Sequence, residues 1–273
     1  MKRTLIITIM ALFSIGMNAQ SAQVRIFAHR GGRAEFDENT MQAFNGAYKA
    51  GYRGFETDIR MTKDGDLVLM HDSSLERTTN AKGTVEGSKT KTVKNAKTLK
   101  GNRVVLFDDF VKWIGSKGDL EYVEFELKTD SALYSEDLVC KMCDEVYNKI
   151  MNVKPAGATF VISSFDPRPL IYIKLKHSDA ELMYITSDPV NDMSIAKVKE
   201  LGLKRLAANM AGTSSIGVDK AHLDGIKVTL WPSDNMNDVA LGISLGADNV
   251  CTDIPVEAKK SLNKAMPWVS FEF

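Results

Sequence analysis

Two histidines and a run of acidic residues carry the chemistry of this 273-residue chain. His29 opens His29-Arg30-Gly31 directly after an apolar run, Glu56 and Asp58 flank Thr57, and His71-Asp72 begins thirteen residues beyond Asp58. Residues two apart on a strand project to the same face, so Glu56 and Asp58 would sit side by side. Such carboxylates repel each other unless a proton or cation lies between them. Periodicity alone fits a solvated strand face better than a site, and the two histidines shift that balance. Glu126, within Glu124-Phe125-Glu126-Leu127-Lys128, would add a third oxygen ligand, and ligation by oxygen alone points to Mg2+ or Ca2+ rather than zinc. Arg30 and Lys128 can supply positive charge to an anionic group, the arginine gripping phosphate oxygens through its planar fork. A divalent cation, two side-chain cations and two histidines suit a phosphodiester. Charge on the phosphoryl oxygens is neutralised while one imidazole takes a proton from the nucleophile and the other gives one to the leaving alcohol.

Residues so far apart in sequence need a scaffold that gathers them. Eight β-rich runs alternate with amphipathic stretches: Val24 to Ala28, Gly54 to Ile59, Tyr122 to Leu127, Thr159 to Ser163, Glu181 to Ile185, Arg205 to Ala208, Ile226 to Leu230 and Asn249 to Thr252. Eight is the count that closes an α/β (β/α)8 TIM barrel, whose strand ends converge on one mouth. Helices are expected at Met41 to Ala50, Phe107 to Ile114, Ser135 to Met151, Pro169 to Lys176, Met193 to Leu201, Ser215 to Leu223 and Asn237 to Leu245. Gly51, Gly202, Gly225 and Gly246 mark helix ends. Lys63-Asp64-Gly65-Asp66 predicts a hairpin that returns His71 to the mouth, and Thr78 to Arg103 reads as an excursion after the second strand. Trp231 ends the seventh strand and Asp253 follows the eighth, so both belong to the same mouth.

The chain is long enough, at 44% hydrophobic residues, for one large domain over residues 20–273. Residues 1–19 read as a secretory signal peptide: Lys2 and Arg3 precede the apolar run Leu5 to Ile15, which is short for a membrane span. A soluble periplasmic or secreted protein is therefore expected. Basic and acidic residues balance at 35 each, and a cut after Ala19 leaves 33 against 35. That balance gives no electrostatic case for gripping nucleic acid or an anionic membrane, and no stable membrane insertion is expected. Cys140 and Cys143 fall on a helical stretch without a second pair to complete a zinc site, and are read as incidental.

Taken together, the motifs resemble the glycerophosphodiester phosphodiesterase family over most of residues 20–273. The resemblance is carried by His29-Arg30-Gly31, Glu38-Asn39-Thr40, Glu56-Thr57-Asp58 with Thr62-Lys63-Asp64-Gly65, His71-Asp72, Arg77-Thr78-Thr79, Glu124 to Lys128, Ser164-Phe165, Trp231, and Gly246-Ala247-Asp248 leading to Thr252-Asp253-Ile254-Pro255. It implies a (β/α)8 fold and release of glycerol 3-phosphate and an alcohol from small phosphodiesters with a divalent cation. It further implies His29 and His71 as the acid/base pair, Glu56, Asp58 and Glu126 as metal ligands, Arg30 and Lys128 as phosphate contacts, and Trp231 as a pocket wall. No oligomeric state is implied. Three positions depart from the family pattern: Asp37 is expected to loosen a turn, Glu124 to add negative charge beside the metal, and Ile254 replaces a frequent tyrosine. Competing readings are a lysophospholipase D or phosphatidylinositol-type phospholipase on a similar barrel, and a headgroup-binding protein without turnover.

Overall fold

The β-rich runs form the eight parallel staves of a closed barrel in the computed structural model, which describes residues 23–266 and 269–273. The expected signal peptide lies outside the described residues. In chain order the strands are β1 (Gln23–Ala28), β2 (Gly54–Met61), β3 (Leu67–Leu69), β4 (Tyr122–Leu127), β5 (Thr159–Ser164), β6 (Glu181–Pro189), β7 (Arg205–Asn209), β8 (Lys227–Trp231), β9 (Asn249–Thr252) and β10 (Ser270–Glu272). The helices are α1 (Met41–Lys49), α2 (Thr90–Asn95), α3 (Phe107–Gly115), α4 (Glu136–Met151), α5 (Pro167–Lys176), α6 (Asp192–Glu200), α7 (Ser215–Leu223), α8 (Met236–Ser244) and α9 (Pro255–Ala265). All eight expected strands and seven expected helices are present, with ends shifted by a few residues. Gly51, Gly202, Gly225 and Gly246 follow helices with positive φ, as the helix-ending reading requires.

Two strands lie outside the eight staves. β3 pairs antiparallel with β2 through the predicted turn. β10, which has no distinctive sequence signal, pairs parallel with the first half of β1 from Gln23↔Ser270 to Arg25↔Glu272. β1 then meets β2 at Ala28↔Phe55, so the barrel is sealed above β10 by a single register pair. α9 was also absent from the expected helices, although Pro255 stands at its first turn, where a missing N–H is harmless.

Alternation along the staves divides the core. Phe27, Tyr122, Val161, Met183, Ala207 and Cys251 form a cluster inside the barrel, and their strand neighbours pack outward against the helices. The outer layer over β2 and β4 is aromatic: Phe44 lies 4.5 Å from Phe110 between ring centres, Phe110 stacks on Trp113 at 5.7 Å, and Phe55 meets Trp113 edge-on at 5.3 Å. These rings fix α1 and α3 against the strands that carry the acidic residues. The Cys140 and Cys143 thiols are free on α4, and burial pushes Cys143 up to about 12, which leaves it a protonated, inert thiol.

The excursion has a small core of its own. Val85, Val93 and Ala96 pack with Val68, Met70, Leu75 and Val104. Asp37 does not loosen its turn: its carboxylate accepts from Asn102 Nδ2 at 2.7 Å and from Thr98, and its carbonyl accepts from Thr40 Oγ1 at 2.8 Å. It clamps the excursion to the segment that opens α1. No helix among the described residues is long and apolar enough to cross a membrane.

Phe110 is fully buried at the centre of the aromatic layer. Phe110→Ala is expected to destabilise the fold by about 3–5 kcal/mol, read as a lowered urea midpoint with an unchanged slope.

Candidate active site

Beyond Ala28 the chain leaves the barrel through a tight turn, His29–Gly31, in which Arg30 adopts φ 51° and ψ 30°. A left-handed arginine is strained, and Gly31 and Gly32 continue the positive-φ path at 78° and 106°. A β-carbon at Gly31 would come within 2.7 Å of the Ala43 β-carbon on α1, and one at Gly32 within 2.6 Å of Pro255 on α9. The glycines therefore let the turn press between two helices, and the turn aims His29 across the mouth.

His29 Nδ1 lies 2.5 Å from Asp253 Oδ1, just past β9, and Nε2 lies 3.9 Å from Glu56 Oε2. An ionised carboxylate only accepts, so Nδ1 carries the proton and Nε2 presents its lone pair towards the cavity. Burial, reinforced by the Arg30 charge, pushes the imidazolium well down, so the ring is neutral near pH 7. Asp253 is itself gripped by Arg33 Nε at 2.6 Å.

The acidic set lies on adjacent strands in register, Glu56 opposite Glu124 and Asp58 opposite Glu126. All four are buried, which excludes the solvated-face reading of Glu56-Thr57-Asp58. Burial alone would push the Asp58 carboxyl up, but Lys128 Nζ at 3.1 Å and Arg30 Nε at 3.3 Å together hold it well below the usual range. Asn39 Nδ2 donates to Asp58 at 2.8 Å from a backbone with φ 55°, a conformation asparagine tolerates. Lys128 also contacts Glu126. Burial and the Asp58 charge push Glu56 well above its ordinary value, although its Oε2 accepts the Arg30 backbone N–H at 2.8 Å.

These oxygens have the marks of a cation site. One carboxylate oxygen each from Glu56, Asp58 and Glu126 lies within 4.8 Å of the others; Glu56 Oε1 is buried with no hydrogen-bond or ion-pair partner, while Asp58 Oδ1 and Glu126 Oε1 both face Lys128 Nζ. A buried acceptor left unpaired is costly, and a hard divalent cation held by the three carboxylates would satisfy it. A second set of His29, Glu56 and Cys251 is equally close, but its buried thiol is pushed well up and suits such a cation poorly. Glu124 departs from expectation. Burial pushes it up to about 8, against the full negative charge expected of it, and Ser163 donates to it at 2.8 Å.

On the opposite rim, the β2–β3 hairpin delivers His71, whose carbonyl accepts from Arg60 Nε at 2.9 Å. His71 Nδ1 lies 2.7 Å from Asp72 Oδ1, a second imidazole held by its own carboxylate. Arg77 bonds Asp72 and reaches both Glu38 oxygens at 2.8 Å, while Glu38 accepts from Arg30 Nη1 at 3.1 Å. An ion-pair chain thus runs from one histidine's support to the arginine beside the other. Trp231, ending β8, stands edge-on to Phe165 at 5.9 Å, and Lys128 Nζ lies 5.7 Å from the Phe165 ring.

The resulting cavity is about 530 Å³ and is lined by His29, Arg30, Glu56, His71, Glu126, Lys128 and Trp231 among others. Of the eight residues singled out from sequence, seven face it, and Asp58 lies fully buried within the ion-pair cluster of Arg30 and Lys128. The supports Glu38, Asn39, Asp72, Arg77 and Asp253, and the wall residue Phe165, were given no role from sequence. Their signal was position: each belongs to a short polar motif next to an element end.

Comparison with known proteins gives the same direction. The model of the glycerophosphoryl diester phosphodiesterase family matches residues 29–257. The chain is 32% identical over 247 residues to uncharacterized protein YqiK of Bacillus subtilis, covering 87% of this chain and 98% of that one. It is 29% identical over 241 residues to a glycerophosphodiester phosphodiesterase of Caldanaerobacter subterraneus, covering 84% and 94% respectively. The fold matches that of an Oleispira antarctica phosphodiesterase, solved in complex with the product sn-glycerol-3-phosphate, with a TM-score of 0.78 at 20% identity, over 88% of this chain and 96% of that one. With the barrel, the motif order and a family match across nearly all the described residues, the chain belongs to the glycerophosphoryl diester phosphodiesterase family.

Proposed function

We propose that the protein hydrolyses glycerophosphodiesters to glycerol 3-phosphate and an alcohol, in a reaction that needs a divalent cation. The observation that carries this reading is the pair of carboxylate-held imidazoles, His29 on Asp253 and His71 on Asp72, lining one cavity with the buried acidic cluster. Binding alone would need the acidic cluster and the cations but not two oriented proton carriers.

Glu56, Asp58 and Glu126 would hold Mg2+ or Ca2+, which when bound supplies positive charge to the phosphoryl oxygens and lowers the barrier to attack. Arg30 and Lys128, already beside that set, add charge on the same side and orient the phosphate. His29, neutral and with its lone pair inward, takes the proton of the nucleophile, either water or the glycerol 2-hydroxyl. His71 lies nearer solvent and in its protonated form gives a proton to the departing alcohol. Trp231 and Phe165 wall the organic part of the substrate. Arg77 positions His71 by holding Asp72. The protein is exported to the periplasm or beyond, a reading supported by Lys2, Arg3 and the apolar run that follows.

Purified protein supplied with glycerophosphocholine or glycerophosphoethanolamine and a divalent cation is expected to release glycerol 3-phosphate. Chelation should abolish turnover, and adding back single metals should rank them. Lysophosphatidylcholine and phosphatidylinositol in the same panel test the phospholipase readings, which would be favoured by faster turnover of either. His29→Ala is expected to lower kcat by at least about 100-fold, and retention of most activity would remove His29 from the mechanism. In calorimetric titration with Mg2+ or Ca2+ alone, Glu126→Gln is expected to weaken binding by at least about tenfold, and unchanged affinity would exclude Glu126 as a ligand.

A further inference from the structure

Whole-chain neutrality conceals a strong local asymmetry. Residues 78–103 carry six lysines and Arg103 against Glu86 alone, which leaves the other 247 residues with 28 basic against 34 acidic. All seven cations are exposed, and Glu86 is taken up by Arg60 Nη1 at 2.7 Å and by Tyr134 at 3.0 Å. Of the seven, only Lys100 is in an ion pair among the described residues, 4.0 Å from Asp37. The excursion holds these charges on a folded support, since Val85, Val93 and Ala96 fill a core beneath them and Asp37 pins its far turn. Lys97 and Arg103 face each other across a short antiparallel bridge, and the turn between them presents Leu99, 73% exposed.

The placement of this turn relates it to the mouth. A groove of about 220 Å³ lined by Thr98, Leu99 and Lys100 shares Arg33 and Arg77 with the catalytic cavity. The Leu99–Lys100 end of the excursion therefore adjoins the mouth, across a groove that Asp37 and Glu38 also line.

We propose that this excursion docks the protein onto an anionic phospholipid bilayer, with Leu99 seated among the headgroups and the mouth turned to the surface. Six lysines and an arginine exposed within 26 residues, with one of them ion-paired, are drawn to anionic lipid within a Debye length, where the acidic balance of the remaining chain is screened. A leucine flanked by lysines fits a bilayer, which places an apolar layer beneath its charges. A nucleic acid or sulfated glycan offers the charges without that layer. The proposal concerns attachment and is independent of which reaction the site performs.

Co-sedimentation of the protein with phosphatidylcholine vesicles, with and without phosphatidylglycerol, tests it without reference to turnover. Binding is expected to be at least about tenfold tighter to the anionic vesicles and to be lost at high salt. The triple variant Lys91→Glu, Lys94→Glu, Lys97→Glu should abolish binding while its melting temperature stays near that of the parent. Leu99→Ser alone should weaken it several-fold with charge unchanged. Equal binding to both vesicle types, or full binding by the triple variant, overturns the proposal. Binding that is indifferent to Leu99→Ser and is displaced by heparin or duplex DNA overturns it too, assigning the face to a soluble polyanion.

Discussion

Asp58 is fully buried among other carboxylates, and such a group remains ionised only when cations surround it. Lys128 and Arg30 do so here, while Asn39 donates a further hydrogen bond. Each of those partners comes from a different segment: Lys128 from beyond β4, Arg30 from the turn after β1, and Asn39 from the approach to α1. Charge compensation at one carboxylate thereby fixes three chain segments relative to β2. The left-handed Arg30 is tolerable because its backbone N–H bonds Glu56 and its guanidinium bonds Glu38 and Asp58 at once.

The same residues offset the charge of the acidic cluster. Positive charge from Arg30 and Lys128 balances part of the acidic cluster, yet Glu56 keeps one buried oxygen that has no partner. The protein thus folds with the repulsion softened rather than removed. The supporting chain through Glu38, Arg77 and Asp72 extends this order to the hairpin carrying His71, so the two histidines are braced through one ionic network.

Much of this was legible in the sequence because strands and chemistry coincide. Apolar runs that end in His29, Lys128 or Trp231 announce both a stave and what stands at its mouth, and the helix-ending glycines mark the returns between them. Partners separated by long stretches were less legible. Asp253 lies 224 residues from the histidine that it orients, and no local pattern announces that contact. The hold on Asp37 is not legible locally because its partners Thr98 and Asn102 belong to a distant insertion, and the upward push on Glu124 comes from burial, which sequence does not carry. β10 is three residues long, too short for periodicity to speak.

The seam between β1 and β2 has a kinetic side. Gln23 pairs with Ser270 across nearly the whole chain, whereas Ala28 meets Phe55 locally. Contacts so distant in sequence bear a larger loop-closure entropy than local ones, and topologies rich in them fold more slowly. The platform beneath His29 is completed from below by a contact that brings the two ends of the described residues together. Support for the first stave thus draws on β10 as well as on β9, both distant from it along the chain.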